Sequence, residues 1–410
     1  MRSKRLSFRL RAAIALSALI LATAAWAAPK YKVLHAFTGG NDGGGVWGSL
    51  LLDRRGNVYG TTIAGGPKGK GGTAFKLSRL ANGTWSQRVL YSFCSQSLCT
   101  DGGGPFAGLT FDLGGSLYGT TVGGGEHDSG VTFELTLGSQ GWTETVLYNF
   151  CSLQGCKDGG SPQAGVVMDN AGNLFGTASV AFELSPSSDG WKETVLHHFP
   201  AFKGDGSGPY AVILDAAGNL YGETNMGGTS TLCGGGCGTV YELQPTSGGG
   251  WEEHILHDFG TGDDMGFPGG ALLLDKTGRL YGTAGGGTHA HGAVYRLTPQ
   301  SGGHWKASIL HSFTGGANGD GPDGGVAMDK AGNLYGTTVA GGDPNCDCGV
   351  VYKLSPSANG KWTYTVLHSF AGYDGAQPVA QLILDSQGNL YGTTITGGAG
   401  GYGVAFEITP

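Results

Sequence analysis

Charge is what this chain has least of: Asp, Glu, Lys and Arg together make up 13% of its 410 residues. A disordered chain is charge-rich and aromatic-poor, whereas Trp, Tyr and Phe here reach 10%, so the usual disordered class is excluded. Past Trp26 the sequence also lacks any stretch of helical period, which excludes a helical architecture. No Gly-x-Ser-x-Gly elbow, His-Glu-x-x-His helix or phosphate-binding glycine loop is present, so three common catalytic signatures are missing. What abounds is glycine, 82 residues. It follows no three-residue period, so collagen is excluded too. A folded chain of short strands and many turns remains.

The first 27 residues read as a signal peptide. Arg2, Lys4, Arg5, Arg9 and Arg11 precede an apolar run from Ala12 to Trp26, and Ala25-Trp26-Ala27 has the small-x-small pattern of a cleavage site. The run is shorter than the ~20 residues of a spanning helix, which weighs against an uncleaved anchor. No Cys follows it, which weighs against a lipoprotein. Cleavage after Ala27 leaves 19 basic against 31 acidic side chains. That balance argues against nucleic acid or an anionic membrane as partner, since both require basic patches.

From residue 28 to 410 one unit is written seven times. The phrase Asp-x-x-Gly-Asn-Leu-Tyr-Gly-Thr-Thr starts, with variations, at Asp53, Asp112, Asp169, Asp215, Asp275, Asp329 and Asp385, at steps of 46 to 60 residues. A Val-Leu-His-Ser-Phe phrase and a Val-Phe-Glu-Leu phrase recur in step with it. Each unit divides into four short strands, a to d, with turn chemistry between them. Four strands per repeat of this length mark a β-propeller blade, so the expectation is an all-β, seven-bladed β-propeller of four-stranded blades forming one domain. A linear stack of small sheets is the alternative. The phase at the ends favours a ring, because Lys30 to Phe37 is a strand d without its own blade and the chain stops after a strand c. Pairing the two completes the seventh blade and removes the exposed edges.

The segments Asp329 to Thr338 and Val351 to Leu354 resemble the GloVer tandem repeat of exported bacterial proteins, and the resemblance extends over nearly all of the chain after residue 27. It implies a propeller-like exported protein but assigns no activity to particular residues. Members often carry a C-terminal anchoring segment. None follows Ile408, so a freely secreted or periplasmic form is expected. The Asp-x-x-Gly-Asn-Leu-Tyr turn is also similar to that of NHL and virginiamycin B lyase propellers.

In an up-and-down blade the d-to-a and b-to-c loops share one face. Here they are the long and varied ones, which makes that face the candidate site. All eight cysteines fall on it as four local pairs: Cys94 with Cys99, Cys151 with Cys156, Cys233 with Cys237, and Cys346 with Cys348. In an exported chain these read as disulfides that stiffen loops, rather than as a zinc site. Each d-to-a loop also holds an acid beside Gly: Asp42, Asp101, Asp158, Asp205, Asp264, Asp320 and Asp374. Such a ring could hold a cation such as Ca2+, although Asp-Gly is equally plain turn chemistry. Otherwise no cofactor is expected. His289 and His291, and Glu126, His127 and Asp128, are further loop candidates without an identifiable third metal ligand. The strand histidines His35, His197, His257, His311 and His368 alternate with Tyr91 and Tyr148, which indicates packing with a hydrogen-bonding tip.

Departures from the repeat are more specific. Glu223 stands where other units have Thr61 or Thr120, Arg279 replaces the turn Asn, and the third unit has lost its b-to-c loop between Ala178 and Ala181. Glu223 is the catalytic candidate if there is one. The remaining glycines read as hairpin residues. The expected function is an exported, monomeric binding or interaction module for a glycan or protein surface, with Tyr373, Tyr402 and Phe267 as loop aromatics. An extracytoplasmic enzyme of lyase or hydrolase type, with its site on the loop-rich face, and a purely structural extracellular protein are the alternatives.

Overall fold

The computed structural model describes residues 28–199, 204–260, 266–286 and 289–410; the segment expected to be a signal peptide and the loop acid Asp264 lie outside them. Seven antiparallel sheets form the blades of a propeller. In blade 1 the strands are Leu51–Leu52 (a), Val58–Thr62 (b), Thr73–Arg79 (c) and Trp85–Ser92 (d). Blades 2 to 6 repeat that order. Blade 7 takes its first three strands from the C-terminus, Ile383–Leu384, Leu390–Thr393 and Val404–Thr409, and its fourth from the N-terminal strand Lys30–Ala36. The register runs from Lys30 opposite Thr409 to Ala36 opposite Val404. The chain thus closes on itself as the phase of its repeats requires. Blades 4 and 5 differ by one short extra strand each, Gly204–Pro209 and Gly266–Pro268, which pair with strand b beyond strand a.

The ring is held by one aromatic contact made seven times. The Phe that ends strand d packs on the strand-c aromatic of the next blade: Phe37 on Phe75, Phe93 on Phe133, Phe150 on Phe182, Phe199 on Tyr241, Phe259 on Tyr295, Phe313 on Tyr352 and Phe370 on Phe406. Centroid separations run from 4.8 Å for Phe93–Phe133 to 5.4 Å for Phe370–Phe406, in tilted or edge-to-face geometry that the ring quadrupoles favour. A β-bulge at the His of strand d shifts the side-chain alternation. Leu34, Leu90, Leu196 and Leu256 become the buried aliphatics, while Val33, Ile255 and Ile309 are 36 to 42% exposed. Simple alternation places Val on the Trp side and Leu opposite; the extra residue of the bulge is why the strands depart from it.

The repeat phrase is explained by its turn. In the a-to-b hairpin Asp329 Oδ1 accepts the backbone N–H groups of Ala331 and Asn333 at 2.8 and 2.9 Å, and its Oδ2 accepts the Asn333 amide at 2.7 Å and the Tyr335 hydroxyl at 3.0 Å. Asp53, Asp169, Asp215 and Asp385 take the same backbone and amide bonds. Burial alone would raise Asp329, but those bonds outweigh it and hold the carboxyl below its ordinary range. Where Arg279 replaces the Asn, its guanidinium lies 4.0 Å from Asp275 Oδ2. The substitution exchanges an amide bond for an ion pair.

Candidate functional site

The segments leading into strand a, one from each of the seven blades, line a single cavity of about 490 Å3 on the propeller axis. Its wall is tight because glycines bring neighbouring backbones together. A Cβ on Gly48 would stand 2.5 Å from the Ala107 carbonyl carbon, and one on Gly325 would stand 2.4 Å from the Ala271 oxygen. These glycines build the channel, so the expectation that glycine serves only hairpins is corrected.

One position of this wall varies in every blade. Three residues before the buried strand-a aliphatic stand Trp47, Phe106, Gln163, Pro209, Gly269, Asp323 and Val379. All but Pro209 line the cavity, and blade 4 contributes Tyr210 and Asn225 instead. Trp47 and Phe106 pack with ring centroids 4.6 Å apart, tilted by 30°, and Trp47 Nε1 has no hydrogen-bond acceptor. Packing alone therefore holds the indole. Phe267 completes an aromatic set with these two and Tyr210. Its φ of 56° is a conformation that a bulky side chain adopts only under constraint. The constraint is visible: its N–H donates to Cys237 O at 2.7 Å, inside the loop closed by Cys233–Cys237. Gln377 is held similarly by Cys348 O at 2.9 Å.

All four expected cysteine pairs are joined. Cys94–Cys99 borders a second, shallower cavity of about 760 Å3 between the loops of blades 1 and 2, which also includes Glu126, His127 and Asp128. Asp128 Oδ1 accepts the Gly124 N–H at 3.1 Å, and Glu126 donates its N–H to Asn149. Tyr373 and Tyr402 are exposed at 78% and 52%. Neither lines the axial cavity.

The loop acids are turn hubs gripped by strand d. His35 Nε2 lies 3.0 Å from Asp42, His197 Nε2 3.1 Å from Asp205 and His368 Nε2 2.9 Å from Asp374. The Tyr91 hydroxyl donates to Asp101 at 2.9 Å and that of Tyr148 to Asp158 at 2.8 Å. The alternation of His with Tyr is thus the interchange of two side chains that bind one carboxylate. In blade 5 His311 meets Asn318 at 3.3 Å instead, and Asp320, two residues on, lies 2.8 Å from His291 Nδ1. His289 does not line the axial cavity. Asp101 and Asp158 are buried. Burial would raise Asp158, but hydrogen bonds from Ser152, Tyr148 and Leu153 hold it low. None of the six described loop acids lines the axial cavity.

Sequence reading missed what faces these acids across the blade junctions. The residue opposite the strand-c Leu or Ile on strand d of the following blade is Gln87, Glu144, Glu193, Glu253, Ala307, Tyr364 or Tyr31. Gln87, Tyr364 and Tyr31 donate to backbone carbonyls in the adjacent loop. The three glutamates instead confront carboxylates. Burial, and then the charge of Asp101, pushes Glu144 up to about 8; burial and Asp158 push Glu193 to about 7.

Glu223 lies on strand b of blade 4, Leu220–Gly228, 1% exposed. The Thr at this position elsewhere donates to a carbonyl of the next blade, as Thr61 does to Ala107 O at 2.7 Å. Glu223 reaches further and accepts the hydroxyl of Tyr295 in blade 5, while its Oε2 has no partner. Burial raises it to about 8, partly offset by the Tyr295 bond. Burial thus favours its protonated form. Glu223 does not line the axial cavity.

A family model described as the Gloeobacter/Verrucomicrobia repeat matches residues 21–183 and 284–410, most of the chain. No curated protein matches the sequence. Among solved structures, an ancestral GH74 enzyme superposes with a TM-score of 0.58 at 13% identity, over 89% of this chain and 48% of that one, so this chain spans about half of that enzyme's length. An oxidoreductase from Thermus thermophilus, provisionally assigned as a glucose dehydrogenase, gives 0.45 at 12% identity over 93% and 100%. A Dyadobacter fermentans protein of unknown function gives 0.46 at 10% identity over 93% and 99%. At such identities the GH74 likeness speaks for the fold alone. The repeat phrases, the seven closed blades and the family match together place this chain in the Gloeobacter/Verrucomicrobia repeat family.

Proposed function

We propose that the protein is an exported saccharide-binding propeller whose ligand docks over the mouth of the axial channel. The observation that carries this reading is the aromatic set Trp47, Phe106, Tyr210 and Phe267, which shares one cavity with Gln163, Asn225, Asp323 and Gln381. A sugar ring presents a flat C–H face that lies on an aromatic ring and an edge of hydroxyls that amides and a carboxylate can bind. A volume of about 490 Å3 suits one or two sugar units. Low charge favours a neutral ligand over a polyelectrolyte.

Export is supported by the N-terminal segment and by four disulfides. No helix among the described residues is long and apolar enough to cross a membrane. The reading is tested by isothermal titration of the oxidised protein with a panel of neutral oligosaccharides. Saturable binding that Trp47→Ala and Phe106→Ala each weaken at least tenfold is expected. A panel without binding, or binding indifferent to both substitutions, contradicts it and turns attention to a protein ligand.

A further inference from the structure

We propose that His197, Asp205 and Glu253 form a binding site for one divalent transition-metal ion of the zinc class, joining blade 3 to blade 4 away from the axial cavity. His197 is the last residue but one of strand d of blade 3, Gly190–His198, Asp205 lies on the strand that enters blade 4, and Glu253 is on that blade's strand d, Trp251–Asp258. His197 Nε2 is 3.1 Å from Asp205 Oδ2 and 3.6 Å from Glu253 Oε2, and one ligand atom from each residue falls within 4.8 Å of the other two. Ligand atoms on a tetrahedral zinc with bonds of ~2.0–2.1 Å stand roughly 3.3–3.5 Å apart, so the two separations from His197 already lie close to that spacing.

A second observation points the same way. The Glu253 side chain is nine-tenths buried, with 10% exposure, yet its Oε1 has no hydrogen-bond partner. Two carboxyl groups held together beneath the surface repel once both are ionised. A divalent cation relieves that repulsion. His197 and Asp205 keep 20% and 27% side-chain exposure, enough to let an ion enter and to leave its fourth position to water.

The molecule supplies its own controls. Glu144 and Glu193 face Asp101 and Asp158 in the same way, but there the third side chain is Tyr91 or Tyr148, whose hydroxyls stay protonated. His35–Asp42 and His368–Asp374 repeat the first pair, but Gln87 and Tyr31 stand in the place of Glu253. Among the described residues only the junction of blades 3 and 4 unites an imidazole with two carboxylates.

The test is equilibrium dialysis of the purified, disulfide-intact protein, freed of metal by chelation, against Zn2+ alone, beside the variants His197→Tyr and Glu253→Gln. Both variants install residues this fold already carries at the equivalent positions, Tyr91 and Gln87, and matching circular dichroism and Tm confirm that they fold. One Zn2+ per chain is expected, with affinity lowered roughly a hundredfold in each variant, since even outer-shell partners of a metal cost 10–100-fold. X-ray absorption of the loaded wild-type protein is an independent readout that needs no variant. It should show an all-nitrogen-and-oxygen shell with one imidazole. Absence of saturable zinc uptake, uptake unchanged in either variant, or a shell of two imidazoles such as His289 and His291 would supply, overturns the proposal.

Discussion

Two rings of the same molecule, both built from one residue position per blade, obey opposite rules. At the a-to-b turns the Asp is present seven times and takes nearly the same bonds each time. At the axial mouth the corresponding ring reads Trp47, Phe106, Gln163, Pro209, Gly269, Asp323 and Val379, no two alike. Geometry is common to all blades, so packing demands the same residue wherever packing alone decides. On the proposed reading the variation at the axial mouth answers to a ligand, whereas the strand-d position that runs from Gln87 to Tyr31 varies with the carbonyl or carboxylate it faces inside the fold. The comparison separates scaffold from site without reference to any other protein.

Substitutions can break or sharpen that division. The largest effect belongs to the closure. Phe37 is fully buried beyond the N-terminal strand and packs on Phe75, so Phe37→Ala should cost about 3–5 kcal/mol in urea unfolding. Next comes the turn ring, where Asp329→Ala removes four hydrogen bonds and should cost about 2 kcal/mol while leaving saccharide affinity unchanged. A large loss of affinity there would merge the two rings and defeat the distinction.

Glu223 predicts a pH profile rather than a single loss. Its folded value of about 8 lies above the ordinary 4.5, so the folded state keeps a proton that the unfolded chain releases. Its stabilising contribution is therefore complete below about pH 4.5 and is lost as pH rises towards 8, with a slope of at most about 1.4 kcal/mol per pH unit. Glu223→Gln should flatten denaturation midpoints between pH 5 and 8, and an unchanged profile would contradict the assignment. Smallest is Glu144→Gln, which copies Gln87 and should flatten the same profile in the same direction but less, because Glu144 is only partly buried.

The fold was legible because its signals are local and repeated: a turn hub every blade, a strand-d Phe every blade, and unpaired strands at the two ends that complete each other. The disulfides were legible for the same reason, each closing a loop of at most a few residues. The mouth was not. Trp47 and Phe106 lie 59 residues apart and meet only when blades 1 and 2 pack side by side, and Phe267 was recognisable only as a loop aromatic. Glu223 was visible in the sequence as a departure from the repeat, but its surroundings depend on Tyr295 in the next blade. The acids at Glu144, Glu193 and Glu253 were hidden because they sit among solvent-facing strand positions, and their partners lie some forty residues earlier, in the connections between blades.

The central claim is that the variable ring is a ligand site on an indifferent scaffold. The most direct measurement titrates the neutral oligosaccharide panel into the wild-type protein, Trp47→Ala and Asp329→Ala, with Tm recorded for each. The account predicts that Trp47→Ala loses affinity at least tenfold while keeping most of its Tm, and that Asp329→Ala loses Tm while keeping its affinity. Equal affinity in the wild-type protein and Trp47→Ala would contradict it.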